Sequence, residues 1–393
     1  MIRRLATGAG IVVLTLPGLA VLAGIGGLHP LAYPGHPLST DFALYYRDAQ
    51  VGWQDGWRNM YSLDGFDRVT HGLGIANSDP RTPSLSLPVT TWLVAPLALL
   101  PLAPAYAVWL ALLLAAFVGS WWLAAPGRRR ERAVHLLLAA AFPPAVFGLV
   151  LGQVSVLVAA SLVGCWALLR SGRETGAGMI LALVWLKPQL AFLVPLTLLL
   201  AGRRRAFAAF CAVSAALAAA VLAVVPAPDL IAYWQRIADA SAHPAVWKVA
   251  PDMTLWGLQP RPLALILAAT AVVAAALTAL RSSGDRRRDE LAICAGILGS
   301  LLAAPYLHLE DLALLLPAGW LYLRSAPHPA MLPLLVACYL GADLQTIPGL
   351  GLARIFEATW LAALALTAFH PARRALIPAG VGAEGRMAFH AES

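Results

Sequence analysis

The chain has 393 residues, of which 60% are hydrophobic and 12% charged, and it carries a formal net charge of +8. A soluble domain is about 45–50% apolar and about 25% charged, so this composition excludes an ordinary globular protein. The apolar residues fall in long Leu/Ala/Val-rich runs, not in the short alternating strands of a membrane barrel. The reading is an all-α polytopic integral membrane protein.

The positive charge does not indicate a nucleic-acid partner. Its basic residues stand in short clusters between apolar runs, the pattern that orients cytoplasmic loops. Arg128–Arg130 with Arg132, Arg203–Arg205, Arg286–Arg288 and Arg373-Arg374 are of this kind. Cys165, Cys211, Cys294 and Cys338 all lie inside apolar runs without metal-type spacing, and read as small core residues.

In chain order, Arg3 and Arg4 precede an apolar run over about residues 9–29, predicted as an uncleaved first helix with a cytoplasmic N-terminus. Residues 30–84 then break the apolar rule. They hold six aspartates against four arginines, and four of the nine tyrosines. This segment is predicted as a first outer loop with short surface helices. Apolar runs follow to about residue 226, then a second polar segment, 227–261, predicted as a second outer loop. Further runs reach residue 369, and 370–393 read as a cytoplasmic tail. The whole of 1–393 reads as one transmembrane domain of about 10–13 spanning or re-entrant helices.

Loop charge argues for two re-entrant pieces. If every run crossed fully, Arg128–Arg132 would face outward; hairpins at 85–101 and at 176–201 around Lys187-Pro188 remove the conflict. Residues 176–186 would rise only ~16 Å as a helix, about half the hydrocarbon thickness. Proline also pushes Lys187 off helical geometry.

Ionisable residues at membrane depth are costly and mark function by default. Four polar elements qualify, and the hairpin topology puts them on one face. Asp41, in Thr40-Asp41-Phe42-Ala43-Leu44-Tyr45-Tyr46, is either a general base or the N-cap of a surface helix. Gly152-Gln153 offers an amide between two runs. Lys187-Pro188-Gln189 places an ammonium at a helix break, suited to a phosphate oxygen, unless Lys187 simply snorkels. Pro305-Tyr306-Leu307-His308-Leu309-Glu310-Asp311 interrupts an apolar stretch with three ionisable groups. Arg354 and Glu357, at i, i+3, read as a structural pair. No P-loop, HExxH or GxSxG pattern is present.

The order of these elements resembles glycosyltransferase family 87, a group of polytopic transferases of the C type. The resemblance rests on Asp41 to Tyr46, Ala95 to Pro101, Ala105 to Trp109, Gly152-Gln153, Gly178 to Gln189 and Pro305 to Asp311. One departure is Ser86-Leu87-Pro88, where the family shows Tyr-Pro-Pro. The resemblance implies a C-type fold and transfer of a sugar, typically mannose, from a polyprenyl-phosphate donor. The acceptor would be a glycolipid or glycan at the outer face of a bacterial plasma membrane. It implies Asp41 as base, with Lys187 and His308 at the donor phosphate. Tyr45, Tyr46, Gln153, Gln189, Tyr306 and Asp311 would be supporting contacts. Neither a metal nor another cofactor is expected. Membrane lipids and the two substrates are the expected partners, and a transporter or flippase of lipid-linked sugars is the competing class.

Overall fold

The computed structural model describes residues 8–24, 40–73, 86–243, 251–345 and 351–369. The predicted tail, 370–393, lies outside the described residues, as do 30–39 and 74–84 of the first polar segment and 244–250 of the second. The described residues are helical almost throughout. They form α1 (Gly8–Gly24), α2 (Asp41–Asp55), α3 (Leu63–Leu73), α4 (Pro88–Val94), α5 (Leu102–Ala124), α6 (Arg129–Ala140), α7 (Pro143–Val150), α8 (Ser155–Arg170) and α9 (Glu174–Leu181). Then come α10 (Val194–Leu200), α11 (Arg204–Val224), α12 (Ala227–Ala242), α13 (Arg261–Ser282), α14 (Arg288–Ala303), α15 (Leu315–Arg324), α16 (Leu332–Leu344) and α17 (Leu352–Phe369).

Among the described residues, three helices are each long and apolar enough to cross a bilayer alone: α5, α11 and α13. A fourth crossing arises if α6 and α7, bent by 66° at their junction, form one span. The bend falls at Pro143-Pro144, where the missing N–H groups and fixed φ interrupt the ladder. The outward face of these helices explains their environment. None of the most apolar window of α11 is buried within the protein, and Leu222, Ile266 and Trp122 are exposed. Water would penalise such a surface, whereas lipid solvates it, so the chain is a membrane protein.

The two segments predicted as hairpins are broken helices. Residues 88–99 form α4 and a short 3-10 turn rather than a span. Residues 174–200 run through α9, a 3-10 turn at Ala182–Leu186, a break at Lys187, a second turn at Pro188–Leu190 and then α10. The exposed backbone of that break is satisfied by side chains. Thr90 of α4 donates to the Leu186 carbonyl at 2.9 Å, and Ser300 of α14 accepts from the Leu193 N–H at 3.0 Å. Such non-helical backbone survives only where protein covers it.

The first polar segment is more buried than its composition predicts. Phe42, Ala43, Tyr45, Tyr46, Ala49 and Val51 of α2 are all buried. Arg47 and Asp48 form an enclosed ion pair at 3.0 Å, with the guanidinium 4.3 Å above the Phe66 ring of α3. Tyr61 and Tyr233 stack at 6.0 Å and join α2 and α3 to α12 in a small second core. The second polar segment likewise begins as a helix, α12, rather than a loop.

Charge gathers at the other end of the bundle. Arg203 donates to Asp289 at 2.8 and 2.6 Å and to Glu174 at 2.8 Å, tying together the starts of α9, α11 and α14. Arg324 donates to the Leu123, Ala124 and Ala125 carbonyls, closing the end of α5. Arg170 and Trp166 both reach Glu290. Arg354 and Glu357 do not pair: Arg354 donates to the Thr254 carbonyl at 3.4 Å, and both Glu357 oxygens are buried without a hydrogen bond among the described residues.

Candidate active site

Four helix ends and breaks converge opposite that arginine-rich end. Thr40 caps α2 by accepting from the Ala43 N–H at 3.4 Å. Asp41 is therefore the first helical residue, and the reading of it as the cap is corrected. Its neighbour Phe42 donates a backbone hydrogen bond to the Leu151 carbonyl at 3.1 Å, docking the start of α2 onto the turn between α7 and α8.

Gly152 makes that docking possible. It lies at φ +72°, a conformation glycine adopts without a Cβ penalty. A Cβ there would sit 2.7 Å from the Phe42 Cβ. Its carbonyl accepts from the Trp109 indole at 2.8 Å, and the Phe42 ring stacks on that indole at 5.7 Å. The turn is thus clamped by α2 on one side and α5 on the other, with Gln153 pointing into the site.

Gln153 joins the acidic and basic halves. Its Nε2 donates to Asp41 Oδ2. Its Oε1 accepts from the Tyr45 hydroxyl at 2.9 Å and lies 3.5 Å from Lys187 Nζ. Asp41 and Tyr45 stand one helical turn apart on one face, so both reach the same amide.

Lys187 does not snorkel. Its ammonium is mostly buried and paired to Asp311 Oδ1 at 2.5 Å, with Glu310 Oε1 at 3.9 Å. The second Asp311 oxygen accepts from the His308 backbone N–H at 2.9 Å, which fixes the 3-10 turn Leu309–Leu314 against the site. The His308 and Tyr306 rings meet edge to face at 5.8 Å.

The electrostatics follow from burial with few compensating charges. Burial, with Glu310 nearby, pushes the Asp41 carboxyl up to about 6, against the opposing pull of His308, Lys187 and Gln153. Burial pushes Glu310 up to about 7, with Lys187 opposing. Burial and the Lys187 charge both hold the His308 imidazole below its ordinary value. For Lys187, burial disfavours the charge, but Asp311 and Glu310 outweigh it and keep the ammonium above the usual lysine value. The resting site therefore holds a firm cation, a neutral imidazole and two carboxyls that titrate near neutrality.

Not every residue singled out from sequence enters the cluster. Tyr46 points away and donates to the Leu100 carbonyl at 2.7 Å, holding α2 to the chain after α4. Gln189 is half-buried and makes no hydrogen bond to the cluster among the described residues. Conversely, Glu310 enters although the sequence pattern gives it no role; its only signal is its place beside Asp311 in an apolar run. Among the described residues no group of three or more His, Cys, Asp or Glu side chains is arranged to hold a metal ion.

Fold and site define a polytopic helical membrane protein whose helix breaks gather an acid, an amide, an ammonium and an imidazole at one end of the bundle. A sequence model of glycosyltransferase family 87 matches residues 88–307, more than half of the chain, and the chain belongs to that family. It is accordingly a membrane glycosyltransferase. The match includes Gln153, Lys187 and Tyr306, while Asp41, His308 and Asp311 lie beyond its limits. No curated protein and no solved structure gives a match.

Proposed function

We propose that the protein transfers a sugar, mannose by family resemblance, from a polyprenyl-phosphate donor to a glycolipid or glycan acceptor. The reaction would run at the outer face of a bacterial plasma membrane. The observation that carries this reading is the meeting of Asp41 and Lys187 on one amide, Gln153, from opposite sides. A transferase of this kind needs a base at the acceptor hydroxyl and positive charge at the departing phosphate, a few ångströms apart.

In this reading Asp41 takes the proton from the acceptor hydroxyl as its oxygen attacks the anomeric carbon. The bond from that carbon to the phosphate oxygen breaks, and the electron pair leaves with the polyprenyl phosphate. Attack opposite the leaving group inverts the anomeric centre, as single displacements do. Lys187 has three N–H donors. One is held by Asp311 and one faces Gln153, which leaves a third for a phosphate oxygen. His308, held neutral beside Lys187, serves as a hydrogen-bond donor to the phosphate rather than as a second cation. Tyr45 fixes the rotamer of Gln153, and Tyr306 fixes the His308 ring.

The test is sugar transfer by the purified protein in nanodiscs, given a panel of polyprenyl-phosphate sugars and lipid acceptors. Transfer from at least one such donor, cut by roughly 10²- to 10⁴-fold in Asp41→Asn, is expected. A protein that binds and turns over nucleotide sugars instead would overturn the donor class.

A further inference from the structure

The charges in the site do not balance with every carboxylate ionised. Three carboxylates, Asp41, Glu310 and Asp311, face one ammonium, Lys187, and the imidazole of His308 is neutral. Among the described residues the neighbouring elements supply no other cation to this point. The residues of α7, which packs on the 309–314 turn, are all apolar or glycine; α8 presents Ser155; and Arg324 of α15 is occupied at the opposite end. Tyr45 and Tyr306 are neutral phenols held there by burial. Two negative charges in excess would already crowd the site before an anionic phosphodiester entered it.

One carboxyl must therefore carry a proton when an anion binds, and the contacts single out which. Asp311 has the ammonium at 2.5 Å and a backbone N–H at 2.9 Å, both favouring its ionised form. Asp41 accepts from the Gln153 amide. Glu310 is 5% exposed, its nearest cation is 3.9 Å away, and no side-chain hydrogen bond reaches it among the described residues. Asp311 and Asp41 thus each hold a short side-chain contact, whereas Glu310 has only its own backbone N–H and an ammonium at 3.9 Å, so it is the carboxyl on which keeping a proton costs least.

We propose that Glu310 is a further donor-binding residue, acting as a carboxylic acid. It takes a proton from solvent as the anionic donor binds, presents its O–H to a phosphate oxygen, and leaves the Lys187 charge to the phosphate. The proton returns to solvent when the polyprenyl phosphate departs, so no covalent bond to the protein forms at any stage. The inference rests on the phosphate-bearing donor of the preceding section. Burial, which raises Glu310 to about 7, sets the pH at which the linkage becomes visible.

The probe is citronellyl-phosphomannose, a short-chain phosphodiester that keeps a single charge from acid to alkaline pH. Its binding to the full-length protein in nanodiscs is measured by titration calorimetry in two buffers of different ionisation enthalpy. Close to one proton should be taken up per molecule bound at about pH 8, and Kd should weaken about ten-fold per pH unit above about 7. Glu310→Gln, permanently neutral and still a hydrogen-bond donor, should bind with no proton uptake and a flat Kd over the same range. Glu310→Asp should restore the pH slope. Binding by the wild-type protein without proton uptake, or an unchanged slope in Glu310→Gln, overturns the proposal while leaving the donor class intact. Absence of binding at every pH removes the donor class, and this inference with it. If Glu310→Gln fails to fold, the wild-type calorimetry alone decides.

Discussion

Asp41 and Lys187 do different work in the reaction, and their substitutions should separate cleanly. Asp41→Asn keeps a side chain that Gln153 can hold but cannot accept a proton, so turnover should fall by roughly 10²- to 10⁴-fold with donor Kd little changed. Full turnover in that variant would remove Asp41 as the base. The same group predicts a pH limb. Burial raises Asp41 to about 6, so its basic form is lost as pH falls through that value. Turnover should then drop about ten-fold per unit below about pH 6, a limb absent from the residual rate of Asp41→Asn. Lys187→Ala removes the cation shared by Asp311 and Glu310. A charge-assisted hydrogen bond is worth about 1.5–3 kcal/mol, so donor binding should weaken by roughly ten- to a hundred-fold. Unchanged donor affinity would place the phosphate elsewhere. At this scale a lone lysine in an apolar run is legible in sequence, because its cost demands a partner. Glu310 is not, because adjacency to Asp311 does not tell which of two neighbouring acids is neutralised. Spacing also misleads for Arg354 and Glu357: an i, i+3 offset permits a pair, but the Thr254 carbonyl takes the guanidinium.

The elements that position the site are short and broken, and their breaks are where the sequence says most. Pro143-Pro144, Gly152 and Lys187-Pro188 each interrupt a helix at a place readable from proline and glycine chemistry. What the sequence hides is the covering of the polar stretch 40–73. Its aspartates and arginines suggest a surface loop, yet α2 is buried because Arg47 and Asp48 neutralise each other under Phe66. A buried charged pair cannot be told from two exposed charges by composition. Gly152 offers the test at this scale. Gly152→Ala should cost about 1–2 kcal/mol for the left-handed backbone, and more for the contact with Phe42. The expected result is a lowered thermal transition together with reduced turnover, because Gln153 shifts away from Asp41. A variant that melts normally and turns over normally would show that the turn does not position Gln153.

At the scale of the whole molecule, the site and the arginine-rich end occupy opposite ends of the same helices. Gln153 precedes α8 and Arg170 ends it; Asp289 starts α14 and the His308 segment follows its end. With ~1.5 Å of rise per residue, 16-residue helices separate the two ends by ~24 Å, most of the hydrocarbon thickness. Loop charge made this polarity readable in advance, since arginine clusters mark the cytoplasmic side. The number of full crossings was less readable, because a broken helix and a span share the same apolar composition. The polarity predicts where labels will reach. In a variant with Cys165, Cys211, Cys294 and Cys338 replaced, single cysteines at the exposed positions Arg58 and Arg129 report the two ends. The turn after α2 holds Arg58, on the side of the site, and α6 begins with Arg129 at the charged end. In intact cells a membrane-impermeant maleimide should label the cysteine at position 58 and spare the one at 129, which should react only after permeabilisation. The reversed result would turn the site to the cytoplasm, where nucleotide sugars rather than outward-facing lipid-linked sugars are the accessible donors. Labelling of both from one side would break the opposition of site and arginine clusters on which the orientation rests.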